Sequence, residues 1–179
     1  MKPFFCSIIF FGLLSSASVQ SQAAQQAGFA GPREVVREYL RRDFNGEFTS
    51  PKGWKDIQRL AVWEDMPGWN ETVVVRSHRV LSARAGKDHA VIKVHFDSLG
   101  SLFDSAEGYV LRPTANSRSI VHFELALTHG VWKIVAPRLP PHVSLSFALK
   151  KYTATASVCQ PPKKCRSHKT IEDLKRMAK

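Results

Sequence analysis

Apolar and polar residues alternate with a period of two in two parts of this chain. In His89–Asp97, Ile92, Val94 and Phe96 share one face of an extended segment, while Val91, Lys93, His95 and Asp97 share the other. Within Ser119–His142, Val121, Phe123, Leu125 and Leu127 lie opposite Ile120, His122, Glu124 and Ala126. Thr128-His129-Gly130 then turns the chain. Val131–Ala136 resumes the alternation, with Trp132 and Ile134 on the core side and Lys133 opposite. Pro137, Pro140 and Pro141 end the run, because proline donates nothing to a ladder. The β-rich stretch Thr72–Leu81 and the turn Ala85-Gly86-Lys87-Asp88 predict a strand that pairs with His89–Asp97.

Helical spacing appears elsewhere. Gly31-Pro32 opens a helix marked by Val36, Tyr39, Leu40 and Phe44, and Asn45-Gly46 closes it. Arg33, Arg37 and Arg41 form one stripe on it and Glu34 and Glu38 another, the pattern of a solvated face. Ser50-Pro51 opens a second helix, carried by Trp54, Ile57, Leu60 and Ala61 to about Val62 or Trp63. Met66–Asn70 breaks the chain. Trp63 and Trp69 flank that break, either as cover for a core edge or as the mouth of a pocket. Val143–Tyr152 reads as a further helix through Leu145, Ala148, Leu149 and Tyr152. Thr170–Met177 reads as a short basic amphipathic one through Ile171, Leu174 and Met177. Ser98–Arg118 is the least regular part, with a short strand at Gly108–Leu111, and is the first candidate for a lid or a partner-facing loop.

These elements predict an α+β fold: a curved antiparallel sheet of about four to five strands packed against N-terminal helices, followed by a C-terminal helix and a basic tail. The domain spans residues 31–152, after a lead-in at 24–30 and before a tail at 153–179. The first 23 residues read differently. Met1-Lys2, an apolar run to Leu14 and the small residues Ser21 and Ala23 have the order of a secretory signal peptide, cleaved after Ala23 or alternatively after Ala17. Export to a periplasmic or extracellular space follows from that reading, with an uncleaved membrane anchor as the alternative.

Export changes the meaning of the cysteines. Removal of Cys6 with the signal leaves Cys159 and Cys165, which an oxidising compartment favours as a disulfide around a short Gln-Pro-Pro-Lys-Lys loop. Closing about seven residues is worth roughly 2 kcal/mol, enough to stiffen the loop but not to staple the domain. A zinc site there would need more ligands than His168. Asn70-Glu71-Thr72 fits an N-glycosylation pattern, which has meaning only in a host that glycosylates exported chains.

The net charge is +11 over 179 residues. From Lys150 onward nine basic side chains face two acidic ones, against sixteen and thirteen over Ala24–Leu149. A basic tail outside the cytoplasm suits an anionic membrane or wall surface, or simply aids solubility. Nucleic acid does not fit export, and no aromatic-basic platform is evident.

The order helix, helix, strand pair, long loop, strand pair resembles the nuclear transport factor two-like superfamily, the cystatin-like cone fold. The resemblance rests on Pro32–Phe44 with its exit Asn45-Gly46-Glu47-Phe48, on Val73–Asp97 as a first long hairpin, and on Gly130-Val131-Trp132-Lys133-Ile134-Val135. It implies either an enzyme of isomerase, dehydratase or hydrolase type with an acid or base in an apolar cavity under the sheet, or a non-catalytic binding or dimerisation module. Tyr39, Trp63, Trp69 and Tyr109 are the candidate pocket aromatics. No catalytic residue carries over from the resemblance, because no aspartate motif matches.

One polar constellation remains. Lys93, His95, Asp97, His122, Glu124 and Lys133 all lie opposite the predicted core face. An acid–base pairing of His95 or His122 with a carboxylate, or a metal bound by His95, His122 and Glu124, competes with a plain solvent or dimer face. His89 and His95 lie roughly 20 Å apart at strand rise and share no metal. No cofactor is implied, and no Gly-rich phosphate loop, His-Glu-x-x-His or Gly-x-Ser-x-Gly occurs. The reading that follows is an exported non-catalytic binding domain for an unknown protein or a small apolar ligand. It predicts a space under the sheet filled by Trp63, Trp132, Phe96 and Phe123. The enzyme alternative predicts an open apolar pocket with a buried ionisable group.

Overall fold

The computed structural model describes residues 29–105, 108–114, 118–157 and 167–177. The signal segment and Cys159 and Cys165 lie outside the described residues. The elements are α1 (Pro32–Phe44), a 3-10 turn (Glu47–Thr49), α2 (Pro51–Ile57), β1 (Glu71–Ala85), β2 (His89–Phe103), β3 (Val110–Pro113), β4 (Arg118–Thr128), β5 (Val131–Ala136), β6 (His142–Ser144), α3 (Leu145–Ser157) and α4 (Ser167–Met177). The fold is α+β, with the strands in one curled six-stranded sheet. The path runs β5-β4-β2-β1-β6, and β3 pairs on β2. All pairings are antiparallel except β1 with β6.

Local sequence explains most boundaries. Proline at the first turn and an αR exit at Asn45 frame α1, and Gly46 at φ 73° reverses the chain. The Ser50 hydroxyl accepts from the Gly53 N–H at 3.2 Å and caps α2. His129 and Gly130 both take positive φ, so a two-residue turn joins β4 to β5. The Ser144 hydroxyl accepts from the Phe147 N–H at 3.2 Å and starts α3.

Three elements depart from the sequence expectation. The second helix stops at Ile57 rather than near Val62. Leu60–Val62 instead runs beside β5, where Val62 N–H donates to Ile134 O at 3.1 Å and Ile134 N–H to Leu60 O at 2.8 Å. The exposed backbone of an edge strand recruits that segment. The irregular stretch after Ser98 is largely sheet, because β2 continues to Phe103 and β3 pairs with Gly100–Phe103. Val143 and Ser144 belong to β6, and the helix that follows runs to Ser157, past the expected end of the domain.

Two cores form. The larger lies between α1, α2 and the sheet and includes Tyr39, Leu40, Phe48, Trp54, Phe96 and Phe123. The smaller gathers Val74, Leu102, Leu111, Val143, Tyr152 and Leu174. Val74 feeds the smaller core and Val75 the larger, and adjacent strand residues point to opposite faces. Helices α1 and α2 therefore cover one face of the sheet, and α3 with α4 cover part of the other. The basic amphipathic segment is thus bound into the fold. Ile171 and Leu174 are buried, Thr170 Oγ1 donates to Tyr109 O at 2.6 Å, and Tyr109 N–H donates to Ser167 Oγ at 3.2 Å.

β6 pairs only with Val73–Val75, so the remaining length of β1 from Arg76 has no neighbour on its outer side among the described residues. Register shifts at Val75/Ser77 and Val80/Ser82 mark two bulges there. No helix among the described residues is long and apolar enough to cross a membrane.

Candidate functional site

The space under the sheet is filled. Tyr39 meets Phe48 at 5.2 Å, Phe123 at 5.5 Å and Trp63 at 6.2 Å between ring centroids, and Trp63 stacks on Trp54 at 6.4 Å. Trp63 Nε1 donates to Val135 O at 3.3 Å, which holds the indole as cover over the core. Phe96 and Phe123 are fully enclosed, and Trp132 packs at the margin.

One ionisable group lies inside this packing. Asp43, in the last turn of α1, is 2% exposed. Its Oδ2 accepts from the His142 N–H at 3.0 Å, and Oδ1 has no partner among the described residues. Burial pushes the Asp43 carboxyl well above the ordinary carboxylate range, and the His142 hydrogen bond offsets this only in part. Tyr39, one turn earlier, is driven up by burial and then by Asp43. Burial lowers His142 and His78. The His142 ring sits 4.5 Å from Phe96, with Nδ1 2.7 Å from Pro140 O. Asp43 lines none of the three clefts described below, and it is enclosed among the described residues. Sequence reasoning passed over it, although it continues the buried spacing of Val36, Tyr39 and Leu40.

The opposite face of the sheet carries most of the predicted polar patch. Lys93 pairs directly with His122, and Asp97 with Arg118. His95 lies between Ile120 on β4 and Arg79 on β1, and Glu124 pairs with Val91. Opposed side chains start roughly 5 Å apart at Cβ, and diagonal ones such as His95 and His122 roughly 7 Å apart. Lys133 is drawn away, with its Nζ donating to Gln58 O, and it lines a groove of about 720 Å³ with Val62, Trp63 and His129. Neither His95 nor His122 is bonded to Asp97 or Glu124, and Arg76 instead pairs with Asp97 at 3.9 Å. Among the described residues no three His, Cys, Asp or Glu side chains converge as metal ligands.

The register adds residues that the sequence pattern did not connect. Arg79 and Arg84 on β1 and Arg118 on β4 join Lys93 on this face, and Arg76 reaches it through Asp97. Among the described residues, five cations of this face, Arg76, Arg79, Arg84, Lys93 and Arg118, thus stand with two carboxylates, Asp97 and Glu124. A shallow depression of about 500 Å³ between Arg79, His95, Asp97 and Arg118 marks its centre.

Trp69 and Tyr109 do meet, away from Tyr39 and Trp63. They line a cleft of about 110 Å³ with Met66, Asp104, Lys151 and Tyr152. Tyr109 and Tyr152 rings meet edge to face at 4.3 Å. Burial lowers the Lys151 ammonium, with Asp104 opposing the shift, and raises both tyrosines. No family model, curated protein or solved structure matches the chain.

Proposed function

We propose that this protein is an exported, non-catalytic binding domain of cone-like type, which meets an anionic surface through the outer face of its sheet. The observation that carries this reading is the division of the sheet into two faces. One is packed by Tyr39, Trp54, Trp63, Phe96 and Phe123, with Asp43 buried on the same helix as Tyr39. The other leaves Arg79 and Arg84 exposed and Lys93 part-exposed, and among the described residues it bears an excess of cations. Positive potential of that kind attracts anionic headgroups or acidic polymers and weakens with salt.

The tail plays a smaller part than its charge suggests. The apolar stripe of α4 is buried against the domain, so it is not free to insert into a bilayer. The test is sedimentation with vesicles of phosphatidylglycerol or of phosphatidylcholine, with an immobilised acidic polysaccharide as a parallel arm. Wild-type protein should bind the anionic materials, and the triple variant Arg79→Glu, Arg84→Glu, Lys93→Glu should release them at low salt. Reversing Lys169 and Lys175 should have the smaller effect. Equal binding to neutral vesicles, or full binding by the triple variant, would remove this function.

A further inference from the structure

Distant parts of the chain converge on the cleft of about 110 Å³: the 66–72 segment, the end of β2, Tyr109, Pro141 and the start of the second turn of α3. Met66 and Trp69 are 42% and 39% exposed at its rim, large apolar side chains held against water. Within it, Lys151 is half-buried and forms no salt bridge. Its Nζ lies 5.8 Å from the centroids of Phe147 and Tyr152. Glu71 and Asp104 line the same space, also without a salt bridge among the described residues. Leu102, Thr72 and Tyr152 also line it, and Asp104 N–H donates to Asn70 O at 2.9 Å.

A cleft with one cation and two carboxylates, none of them in a salt bridge among the described residues, and an apolar rim selects its ligand by charge arrangement. A simple anion meets Lys151 but also faces both carboxylates. A simple amine meets the carboxylates but faces Lys151. A molecule with both charges a few ångströms apart satisfies all three groups. At a liquid volume of roughly 30 Å³ per water, the space displaces about four waters, enough for a zwitterionic head but not for a large ligand. A side chain on that head would rise along Trp69 and Met66.

We propose that this cleft binds a free α-amino acid with an apolar side chain, its carboxylate on Lys151, its ammonium toward Glu71 and Asp104, and its side chain against Trp69 and Met66. The site is separate from the basic sheet face and stands or falls independently of it.

The test is an NMR titration of the wild-type protein with L-leucine, with isopentylamine, which lacks the carboxylate, and with 4-methylpentanoate, which lacks the amine. L-Leucine should shift the Trp69 indole resonance saturably, and each analogue should bind at least about tenfold more weakly, as expected for loss of a charge-assisted contact. Lys151→Met keeps the aliphatic stem and should lose L-leucine binding by a similar factor while retaining the native spectrum. Either analogue binding as tightly as L-leucine, unchanged affinity in Lys151→Met, or no saturable shift at millimolar L-leucine would overturn the proposal. The three ligands on wild-type protein decide the matter even if the variant fails to fold.

Discussion

Replacing Asp43 by asparagine probes the buried carboxyl without changing its shape. The asparagine carbonyl still accepts from the His142 N–H, while its amide nitrogen takes the place of the unpartnered Oδ1. That nitrogen adds a cost of about 1–3 kcal/mol as an unsatisfied buried donor, but the cost does not vary with pH. The wild-type carboxyl behaves differently. Its folded pKa is raised by burial above the ordinary value of 3.8. Its contribution to stability is therefore fully present below that unfolded value and is lost as pH rises through the folded one. In that window the folded chain holds one proton more than the unfolded chain, so wild-type stability falls by up to about 1.4 kcal/mol per pH unit. His78 and His142, lowered by burial, act with the opposite sign. Their contribution is complete above their unfolded value of 6.5 and declines as pH falls below it. Both histidines are present in wild type and variant, so the difference between the two stability curves isolates Asp43. Urea unfolding followed by tryptophan fluorescence, from about pH 5 to about pH 8, should show the variant gaining on wild type as pH rises. Parallel curves across that range would refute the assignment of a raised carboxyl.

Other substitutions separate the remaining claims. Leu174→Ala on α4 removes a fully buried side chain and should cost about 2–4 kcal/mol in urea unfolding, whereas a tail free of the domain would show no change. Gly46→Ala places a Cβ 2.2 Å from the Phe147 ring at a φ of 73°, and should cost about 2–4 kcal/mol from strain and overpacking, read as a lower midpoint. Phe123→Ala opens the core under the sheet and should cost about 3–5 kcal/mol by the same assay. Raising salt from low to about 0.5 M should abolish binding of wild-type protein to anionic vesicles, because exposed charges are screened beyond a few ångströms there.

The strands that alternate most regularly were the most legible part of the fold. Period two in His89–Asp97 and Ser119–Thr128 places Phe96 and Phe123 inward and His95 and His122 outward, and burial follows that parity except at Leu127, which was expected inward and is exposed near the end of β4. Periodicity does not reveal register, so the sequence could not join Arg79 to His95 or Arg118 to Asp97. The stripe of Ile171, Leu174 and Met177 was visible too, but not what it packs against, since Val74, Leu102 and Leu111 lie far from it along the chain. Asp43 lay on the right helical face and was hidden by its residue type, because carboxylates are rarely buried. Lys151 was counted with the charge of the tail, whereas α3 carries it into a cleft whose other walls come from residues scattered between 49 and 141.

The open edge of β1 has a consequence for how the molecule behaves at high concentration. The outward backbone groups from Arg76 to Ala85, which pair with no strand among the described residues, offer a template on which another chain could extend the sheet. The two bulges break the regular spacing of those groups, and Arg76, Arg79 and Arg84 set like charges against any identical strand brought alongside. A growing stack of copies through this edge is thereby disfavoured. The arginines that give the outer face its positive charge thus also set this long strand against seeding aggregation.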